Sequence, residues 1–511
     1  MNILLIYPVF PKANFWSGHW ALWFVGKKAA IWSLALPTIA ALLPKSWNVK
    51  LVDMNIERLK DQDIKKADLV FLSAMEEQQK SARETIARCK KFGKRILAGG
   101  PMFFEATPQE FPGVDHIFSG EAELTLPEFV RDWEKYLAAP KAERKEEMLK
   151  TVYSSAEFCD LELTPPPRLD LVKVHKYTIT PLELGRGCPR QCTFCSVHAI
   201  CGTKLRFNPW PKVKVELDNL LSAIGHGTIM IVNDNFIASK KYAKEFLVHL
   251  LQYQIDHNFP WDFIAQTEIT LADDDELMML MALCRFKKVF IGIESISNAS
   301  LKSCHKTQNV GRDLVADVQK IMRHGLEVMA GIIVGLDGDT PAIFKALFEF
   351  LQKTGIVVAM VNVVLILRHT KDWERMREEG RLVEKPIQGI LNYKPICMDP
   401  KKLVDGFLWL QQQLFLPRNY FARVRNALQN LEPSPARKPS ASEFKAFAHS
   451  LWRIGVFSRY NWRYVKLLFS TFFAKIPLFS SSVGWTIMLS HYLKVVAIQR
   501  KAVTSARQNC S

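Results

Sequence analysis

The sequence predicts an α/β fold in three parts: an N-terminal doubly wound parallel sheet, a central incomplete (βα)6 barrel and a C-terminal, mainly helical region. Three observations support this. Short apolar runs alternate with helix-like stretches from residue 3 to residue 118, and the alternation resumes from about residue 178 to residue 367. Beyond that point the pattern is helical and the composition turns basic and aromatic. Continuous apolar runs separated by helices are typical of parallel strands buried on both faces.

The first part contains five predicted strands, at 3–7, 49–53, 69–73, 95–98 and 116–118. Doubly wound sheets bind ligands at the carboxyl ends of their strands, and glycine there lets the backbone approach a ligand closely. A glycine pair at such a place is equally compatible with a plain tight turn. The candidate ligand-binding residues at these ends are Ser73, Gly99, Gly100, Pro101, Gly120 and Glu121.

Charge and proline suggest the domain boundaries. A charge run at 141–150 is followed by three prolines at 165–167, which is typical of a linker. We therefore expect domains at 1–150, 176–371 and 372–511, with a linker at 151–175. The Trp-rich stretch 16–43 is too interrupted for a membrane span of about 20 apolar residues. We expect it to be a loop and a helix that either line an apolar substrate channel or pack as core.

The barrel is predicted from six strands, at 182–184, 228–233, 263–268, 289–294, 328–334 and 360–367. Active sites of such barrels lie at the carboxyl ends of the strands. Polar residues or glycines stand at four of those ends, although a carboxylate there is often only a helix cap. They are the triplet 233–235, Glu268, Glu294, Gly331 and Gly335.

Cys188, Cys192 and Cys195 form a CxxxCxxC motif on the loop after the first barrel strand. A four-iron cluster normally takes four cysteine ligands, so three would leave one iron open. The alternative is a structural zinc site made of Cys192, Cys195 and His198 with either Cys188 or Cys201, although no second separated ligand pair follows. Disulfides are not expected, because ten cysteines are scattered over 511 residues without a secretory start.

The cysteine motif, with Phe194 before its last cysteine, resembles the signature of radical S-adenosylmethionine (SAM) enzymes. The resemblance implies that the amino and carboxylate groups of SAM bind the open iron of a [4Fe-4S] cluster, with electrons from an external donor. It also implies that Asp234 contacts the SAM amino group, that Glu294 reaches its ribose, and that Gly331 and Gly335 shape the adenine site. Reductive cleavage would then give a 5'-deoxyadenosyl radical.

The strand ends of the first part, LSAM, AGGP and GEAE, resemble the cobalamin-binding domain that precedes many radical SAM cores. The histidine motif that places a lower ligand on cobalt is missing, so we expect cobalamin without a protein histidine on the metal. FWS at 15–17, GKKAA at 26–30, EAELTLP at 121–127 and NDNFI at 233–237 are similar to the hopanoid-methylase-like branch. Ser196 after the cluster motif and Asn233 depart from the usual acidic residues.

This resemblance implies a cobalamin-dependent methyltransferase that moves a methyl group to an unactivated carbon of a lipid such as a hopanoid. One SAM would methylate reduced cobalamin, and a second would supply the adenosyl radical. Two alternatives stay open. One is a radical SAM enzyme acting on a pigment, antibiotic, peptide or RNA, and the other is a non-catalytic cobalamin and iron-sulfur sensor at a membrane.

The net charge of +17 favours a polyanionic partner, either nucleic acid or an anionic lipid surface. From Arg437 onward the chain has twelve Lys or Arg but a single acid, Glu443, and aromatic residues alternate with aliphatic runs. Such a composition suits helices in a bilayer interface better than a solvated nucleic-acid groove. A purely structural helical cap is the alternative. We expect a cytoplasmic protein, peripheral on the inner face of the cytoplasmic membrane.

Overall fold

The computed structural model describes residues 1–433 and 441–508. Arg437, Lys438 and residues 509–511 of the predicted basic region lie outside the described residues. Within the described ranges, seventeen strands form four sheets. The strands are β1 Asn2–Tyr7, β2 Ala29–Ile31, β3 Asn48–Asp53, β4 Leu69–Ser73, β5 Arg95–Gly99, β6 His116–Ser119, β7 Val152–Ser154, β8 Tyr177–Leu182, β9 Gly185–Arg186, β10 Arg206–Phe207, β11 Gly227–Ile231, β12 Trp261–Thr267, β13 Phe286–Glu294, β14 Glu327–Val334, β15 Ala359–Val363, β16 Leu382–Ile387 and β17 Leu391–Tyr393.

Eighteen α-helices connect and cover these strands within the described residues. They are α1 His19–Val25, α2 Ala35–Leu42, α3 Asp61–Lys66, α4 Gln79–Lys91, α5 Ala122–Ala138, α6 Val197–Ile200, α7 Trp210–Ile224, α8 Lys240–Asp256, α9 Asp275–Leu283, α10 Asn298–Ser303, α11 Leu314–Arg323, α12 Ile343–Thr354, α13 Lys371–Glu378, α14 Pro400–Phe415, α15 Pro417–Asn430, α16 Ala441–Ser450, α17 Asn461–Ala474 and α18 Phe479–Gln508. Residues 451–456 form a short π-helix between α16 and α17.

The N-terminal sheet is fully parallel with strand order β3-β1-β4-β5-β6-β7. Every residue of β4 is buried, as expected for a central strand covered on both faces. One face packs on α3 and α4, and the other packs on α2 and α5. The doubly wound architecture is confirmed, and all five predicted strands are present. The sixth strand, β7, lies inside the stretch predicted as a linker.

The barrel is an open half-barrel of parallel strands, in the order β15-β14-β13-β12-β11-β8-β2. Five of the six predicted strands are present, and the first, predicted at 182–184, is instead β8 and shares only Leu182 with the predicted range. The edge strand β2 comes from the N-terminal part and pairs with β8, Ala29 opposite Tyr177 and Ile31 opposite Ile179. The stretch 16–43 therefore contains an unpredicted strand beside its two helices. A (βα)6 half-barrel leaves one side open, and other elements of the chain must close it.

The C-terminal region packs against the half-barrel and against α1. Helix α18 packs on α1, α14 and α17, and Trp485 on it is buried and donates a 2.7 Å hydrogen bond to Glu327 at the start of β14. The helical prediction for this region is confirmed, with a small β16–β17 hairpin in addition. Within residues 1–433 and 441–508, no helix combines the length and the apolar composition needed to cross a membrane.

Candidate active site

The three cysteines lie on a loop that is closed at its base. Strands β9 and β10 pair antiparallel on either side of it, with Gly185 opposite Phe207. The backbone N–H of Cys188 donates to the carbonyl oxygen of Gly202 at 3.1 Å, and that of Cys195 donates to Cys192 at 3.2 Å. A Cβ on Gly187 would approach the carbonyl oxygen of Lys204 to 2.4 Å, so this position needs glycine. The loop is thereby held on the carboxyl end of the barrel.

Of the three cysteines of this loop, Cys192 is buried and the other two are half-buried. Burial raises the pKa of Cys188 and of Cys192, and it raises the pKa of Cys195 to about 12. Negative charge on Cys188 or Cys192 also raises the pKa of Cys195, so the three side chains lie close enough to interact electrostatically. Since a metal binds the thiolate, loading this loop must release protons. Among the described residues, no three His, Cys, Asp or Glu side chains lie close enough to hold a single metal ion.

The triplet after β11 braces the base of the cysteine loop. Asn233 Oδ1 accepts a 2.8 Å hydrogen bond from the backbone N–H of Leu184, and Asp234 Oδ2 accepts one of 3.3 Å from Gly187. Burial raises the pKa of Asp234 to about 6, despite the bond from Gly187. A half-buried carboxylate beside the loop is suited to hold a cation, which is what the predicted contact with the SAM amino group requires. That contact remains a prediction.

Two basic residues near the cysteines were missed by the sequence analysis. Arg190, inside the motif, donates from Nε to Glu268 Oε2 at 2.8 Å, and Asn235 donates to the same oxygen at 3.2 Å. Lys306 is buried, and its Nζ lies 3.1 Å from Glu294 Oε1. Its positive charge lowers the pKa of all three cysteines, against the larger effect of burial. Neither residue stands at a strand end, so strand pattern alone could not find them.

Glu294 occupies a strained position at the end of β13. Its φ is +59°, which is rare for a residue with a side chain, and the pairing with β14 shifts by one residue between Gly292 and Glu294. Strain of this kind is typical of functional sites. The irregularity turns the carboxylate toward Lys306, and a Cβ on Gly292 would collide with the Glu294 carboxylate. The Glu294 side chain is thus held at the mouth of the barrel.

The two glycines predicted to shape the adenine site also serve protein packing. A Cβ on Gly331 would lie 2.9 Å from the Phe290 ring, and a Cβ on Gly335 would lie 2.3 Å from the hydroxyl of Tyr393. Tyr393 also donates a 2.7 Å hydrogen bond to the carbonyl oxygen of Gly335. Side chains of the protein therefore occupy the space over both glycines, and an adenine contact remains a prediction.

Among the described residues, some buried polar atoms without a hydrogen-bond partner lie in the cysteine loop and near the carboxyl ends of barrel strands. They include the hydroxyls of Thr193 and Thr267 and the side-chain oxygen of Asn309. Phe194 is partly buried against the barrel core. Because buried polar groups are normally hydrogen-bonded, these atoms fit a polar ligand such as SAM better than an apolar filling. The residues present at the loop are compatible with a cluster and a bound SAM.

A cleft of about 340 Å³ lies between the N-terminal sheet and the barrel. It connects the carboxyl end of the sheet with the cysteine loop and with the segment after β15. The residues that line it are Glu76, Gln79, Arg83, Pro101, Met102, Phe104, Ala106, Glu110, Phe111, Ser196, Ile200, Leu365, Ile366, Leu367, Arg368, His369, Trp373 and Asn392. Of the predicted cobalamin contacts, Pro101 lines this cleft.

The glycines beside the cleft permit close backbone packing. Gly100 has φ +95°, and a Cβ there would lie 2.9 Å from the hydroxyl of the buried Ser73. Gly99 precedes it at the end of β5. Gly120 has φ +99°, and a Cβ on it would lie 2.8 Å from the carbonyl oxygen of Ser155. The protein's own atoms occupy the space beside these glycines, so the glycines serve internal packing, and each contact with cobalamin remains a prediction.

The carboxylate of Glu121 joins the N-terminal sheet to the barrel. Both of its oxygens accept 2.8 Å hydrogen bonds from Arg206, and Arg186 lies 3.1 Å away. Burial alone would raise the pKa of Glu121, but Arg206, the backbone N–H of Cys159 and Arg186 lower it to about 2. The predicted cobalamin role does not account for these contacts. The structure places this side chain in an ion-pair network that connects two domains.

The sequence of the barrel matches the radical SAM superfamily over residues 182–351, and residues 370–505 match a domain of unknown function, DUF4070. The chain is 32% identical over 470 residues to an uncharacterized methyltransferase of Synechocystis sp.. The matched region covers 89% of this chain and 84% of the relative. The chain is 28% identical over 436 residues to the hopanoid C-2 methylase of Rhodopseudomonas palustris, covering 83% of this chain and 81% of that protein.

The fold is similar to that of the radical SAM methyltransferase TsrM from Kitasatospora setae, solved with cobalamin and a [4Fe-4S] cluster. The TM-score is 0.61 at 14% identity, over 97% of this chain and 99% of that one. The similarity therefore extends across the N-terminal sheet, the half-barrel and the C-terminal helices together. With a radical SAM match on its barrel and a methyltransferase relative over most of its length, the chain belongs to the family of radical SAM methyltransferases.

Proposed function

We propose that this enzyme transfers a methyl group to an unactivated carbon of a hopanoid-like lipid and that it works at an anionic membrane surface. The observation that carries the proposal is the position of the cysteine loop. Ser196 and Ile200, directly after the motif, line the same cleft as Pro101 and Phe104 of the N-terminal sheet. A cluster on the loop and a corrinoid on the sheet would therefore face each other across one space.

The side chains around this space have separable roles. Cys188, Cys192 and Cys195 would hold the cluster, while Asp234 and Glu294 would bind the amino group and ribose of SAM. When bound, these groups supply a 5'-deoxyadenosyl radical from SAM and a methyl group from the corrinoid. The protein positions the reacting atoms and keeps water away from them. No general base is needed for hydrogen abstraction from an unactivated carbon, and we assign none.

A hopanoid-like substrate is supported by the similarity to hopanoid C-2 methylase and by the surface of the C-terminal helices. Large apolar side chains are exposed there, among them Trp462 at 74% and Phe473 at 78%. We name this surface the aromatic face. It consists of Phe444, Trp452, Phe457, Trp462, Phe469, Phe472, Phe473 and Ile476.

Charge complementarity suggests that the aromatic face contacts an anionic bilayer. Six basic residues lie among its members, and the sequence from 444 to 508 contains no Asp or Glu. Helix α17 is amphipathic, since Tyr464, Leu467 and Leu468 are buried while Phe469 and Phe473 point outward. Aromatic rings combined with Lys and Arg are typical of helices that lie in the interface of a membrane. The basic residues are Lys445, Arg453, Arg459, Arg463, Lys466 and Lys475.

Replacing Trp462, Phe469 and Phe473 together by Ser is expected to weaken vesicle binding by at least about 100-fold, because each ring loses its favourable transfer from water. Flotation with vesicles of phosphatidylglycerol and phosphatidylcholine measures this binding. Wild-type binding should weaken with salt and on pure phosphatidylcholine vesicles.

The matched control replaces three exposed apolar residues of the barrel helices by Ser. These are Val248, Ile255 and Met279, with exposures of 57%, 52% and 52%. This control should float as the wild type does. Equal flotation of both triple variants would contradict membrane docking by the aromatic face, and preferential binding of single-stranded RNA over vesicles would favour a nucleic-acid partner.

The substrate proposal is tested by incubating anaerobically reconstituted enzyme with methyl-labelled SAM, cobalamin, a reductant and a bacterial lipid extract. Label in a triterpenoid supports the proposal. Formation of 5'-deoxyadenosine without label in any lipid would show that the lipid substrate is wrong while the radical chemistry stands. A reducible cluster that yields neither product would favour a non-catalytic sensor.

A further inference from the structure

The inner face of the half-barrel is not filled by its own side chains. On β13, Val289, Ile291 and Ile293 are fully buried against the helices, while the alternating residues Phe290 and Gly292 remain partly exposed. The same alternation holds on β14, where Gly331 and Ile333 are partly exposed. Since alternate residues of a strand face opposite sides, the partly exposed set lines the interior. An ordinary closed barrel fills this space with side chains.

One residue from outside the barrel enters this interior. Trp16 follows β1 of the N-terminal sheet, and its ring lies 4.9 Å from the ring of Phe290, tilted by 56°. Phe290 itself fits because Gly331 on the next strand has no Cβ. Trp16 stays 47% exposed, whereas its neighbour Phe15 is buried against Phe415 and Tyr492.

The backbone fixes the position of Trp16. Its N–H donates a 2.7 Å hydrogen bond to the side chain of Asn14, and the carbonyl oxygen of Asn14 lies 3.1 Å from Nε2 of the buried His491 on α18. Gly18 then adopts φ +56° and ends the short helical turn. A tryptophan that is half exposed although its backbone is held in place has ring surface available for a ligand.

We infer that Trp16 and Phe290 form the aromatic wall of the substrate site and select a flat, apolar polycycle; this inference rests on the proposed function. The methyl acceptor must reach both the cleft at the end of the N-terminal sheet and the SAM site. The segment from Tyr7 to Trp16 connects these two places along the chain. Phe290 lies four residues before Glu294 on β13, about 13 Å deeper in the barrel at 3.3 Å per residue.

The floor below this wall is closed. Lys288 Nζ lies 2.9 Å from Glu327 Oε2 across β13 and β14, and Trp485 donates to the other oxygen of the same carboxylate. A substrate that enters from the carboxyl end of the barrel would thus stop above this floor, with one face on the aromatic wall and its reacting edge below the cysteine loop. The adenine of SAM is the other ligand that could stack on Trp16, and the experiment separates the two.

The Trp16→Ala variant tests the inference by binding as well as by turnover. In detergent, the Kd for tritiated hopene, a pentacyclic triterpene, should rise at least about tenfold, and Trp16→Phe should restore most of the affinity, because an aromatic ring is retained. The Kd for SAM should change less than twofold. With the lipid substrate, the ratio of methylated product to 5'-deoxyadenosine should fall, because the radical forms without its acceptor in place.

Trp23 is the matched control. It lies on α1 in the same segment, is 48% exposed, and stacks on His449 at 4.7 Å rather than on a barrel strand. Trp23→Ala should bind hopene and SAM as the wild type does. The inference is overturned if Trp16→Ala matches this control, if its SAM affinity falls as much as its hopene affinity, or if wild-type enzyme does not bind hopene. Failure of wild-type enzyme to cleave SAM would instead overturn the proposed function.

Discussion

The Cys192→Ala variant is expected to lose its iron and its ability to cleave SAM together. Cys192 is the middle thiol of the motif and is buried, so its loss removes a ligand from the interior of the loop. Changes to residues that only surround the metal ligands usually lower activity by up to about 100-fold. Removing one of the three ligands themselves should therefore lower SAM cleavage by at least about 100-fold. Iron analysis, the visible absorption of the cluster and 5'-deoxyadenosine formation measure the effect.

Cys201→Ala is the control for this prediction. Cys201 lies on the same loop, outside the motif, and its thiol is close to the Asp234 carboxylate. This variant should retain a full complement of iron. If Cys192→Ala kept its iron while Cys201→Ala lost it, the assignment of the cluster ligands would be wrong.

The Arg206→Met variant is expected to lower the free energy of unfolding by about 3–5 kcal/mol, because it leaves the buried Glu121 carboxylate without its main partner. Arg206 holds both oxygens of Glu121 and also donates to the carbonyl oxygen of Cys159 at 2.8 Å. Urea denaturation followed by circular dichroism measures the loss. Lys214→Met, which breaks an exposed pair with Asp218, should cost less than about 1 kcal/mol.

The same ion pair gives the stability a defined pH dependence. The pKa of Glu121 is lowered in the folded protein to about 2, while an unfolded glutamate titrates near 4.3. Its contribution is therefore fully present above that unfolded value and is lost as the pH falls toward 2. Arg206→Met should show a smaller loss of stability over this acidic range. An unchanged acid profile in the variant would contradict the network.

Most of the fold follows from local pattern. Apart from the first barrel strand, the predicted strands were recovered with ends shifted by a few residues, because buried parallel strands are continuous apolar runs between turn residues. Strands β2 and β7 were missed. Each has only three residues, and each exists because a distant partner pairs with it: Ala29 with Tyr177, and Val152 with Ile117. No local signal marks such short edge strands.

Residues of the candidate site could be predicted where a short sequence motif carries the chemistry. They could not be predicted where contacts between distant parts of the chain determine their role. The cysteine motif is fixed by sequence neighbours, so its position on the loop after the first barrel strand could be foreseen. Lys306 and Arg190 could not, because their carboxylate partners Glu294 and Glu268 are brought to them by the barrel. The ion pairs of Glu121 could not be predicted for the same reason, because Arg206 and Arg186 lie on β10 and β9, far away in the sequence.

Mössbauer spectroscopy of the anaerobically reconstituted, iron-57-labelled protein tests the central claim most directly. We expect the signature of a four-iron cluster in which a single iron changes its isomer shift when SAM is added, because three thiolates leave that iron free for an exchangeable ligand. A site filled by zinc, or a cluster whose spectrum is unaffected by SAM because a fourth side chain already binds it, would contradict the account.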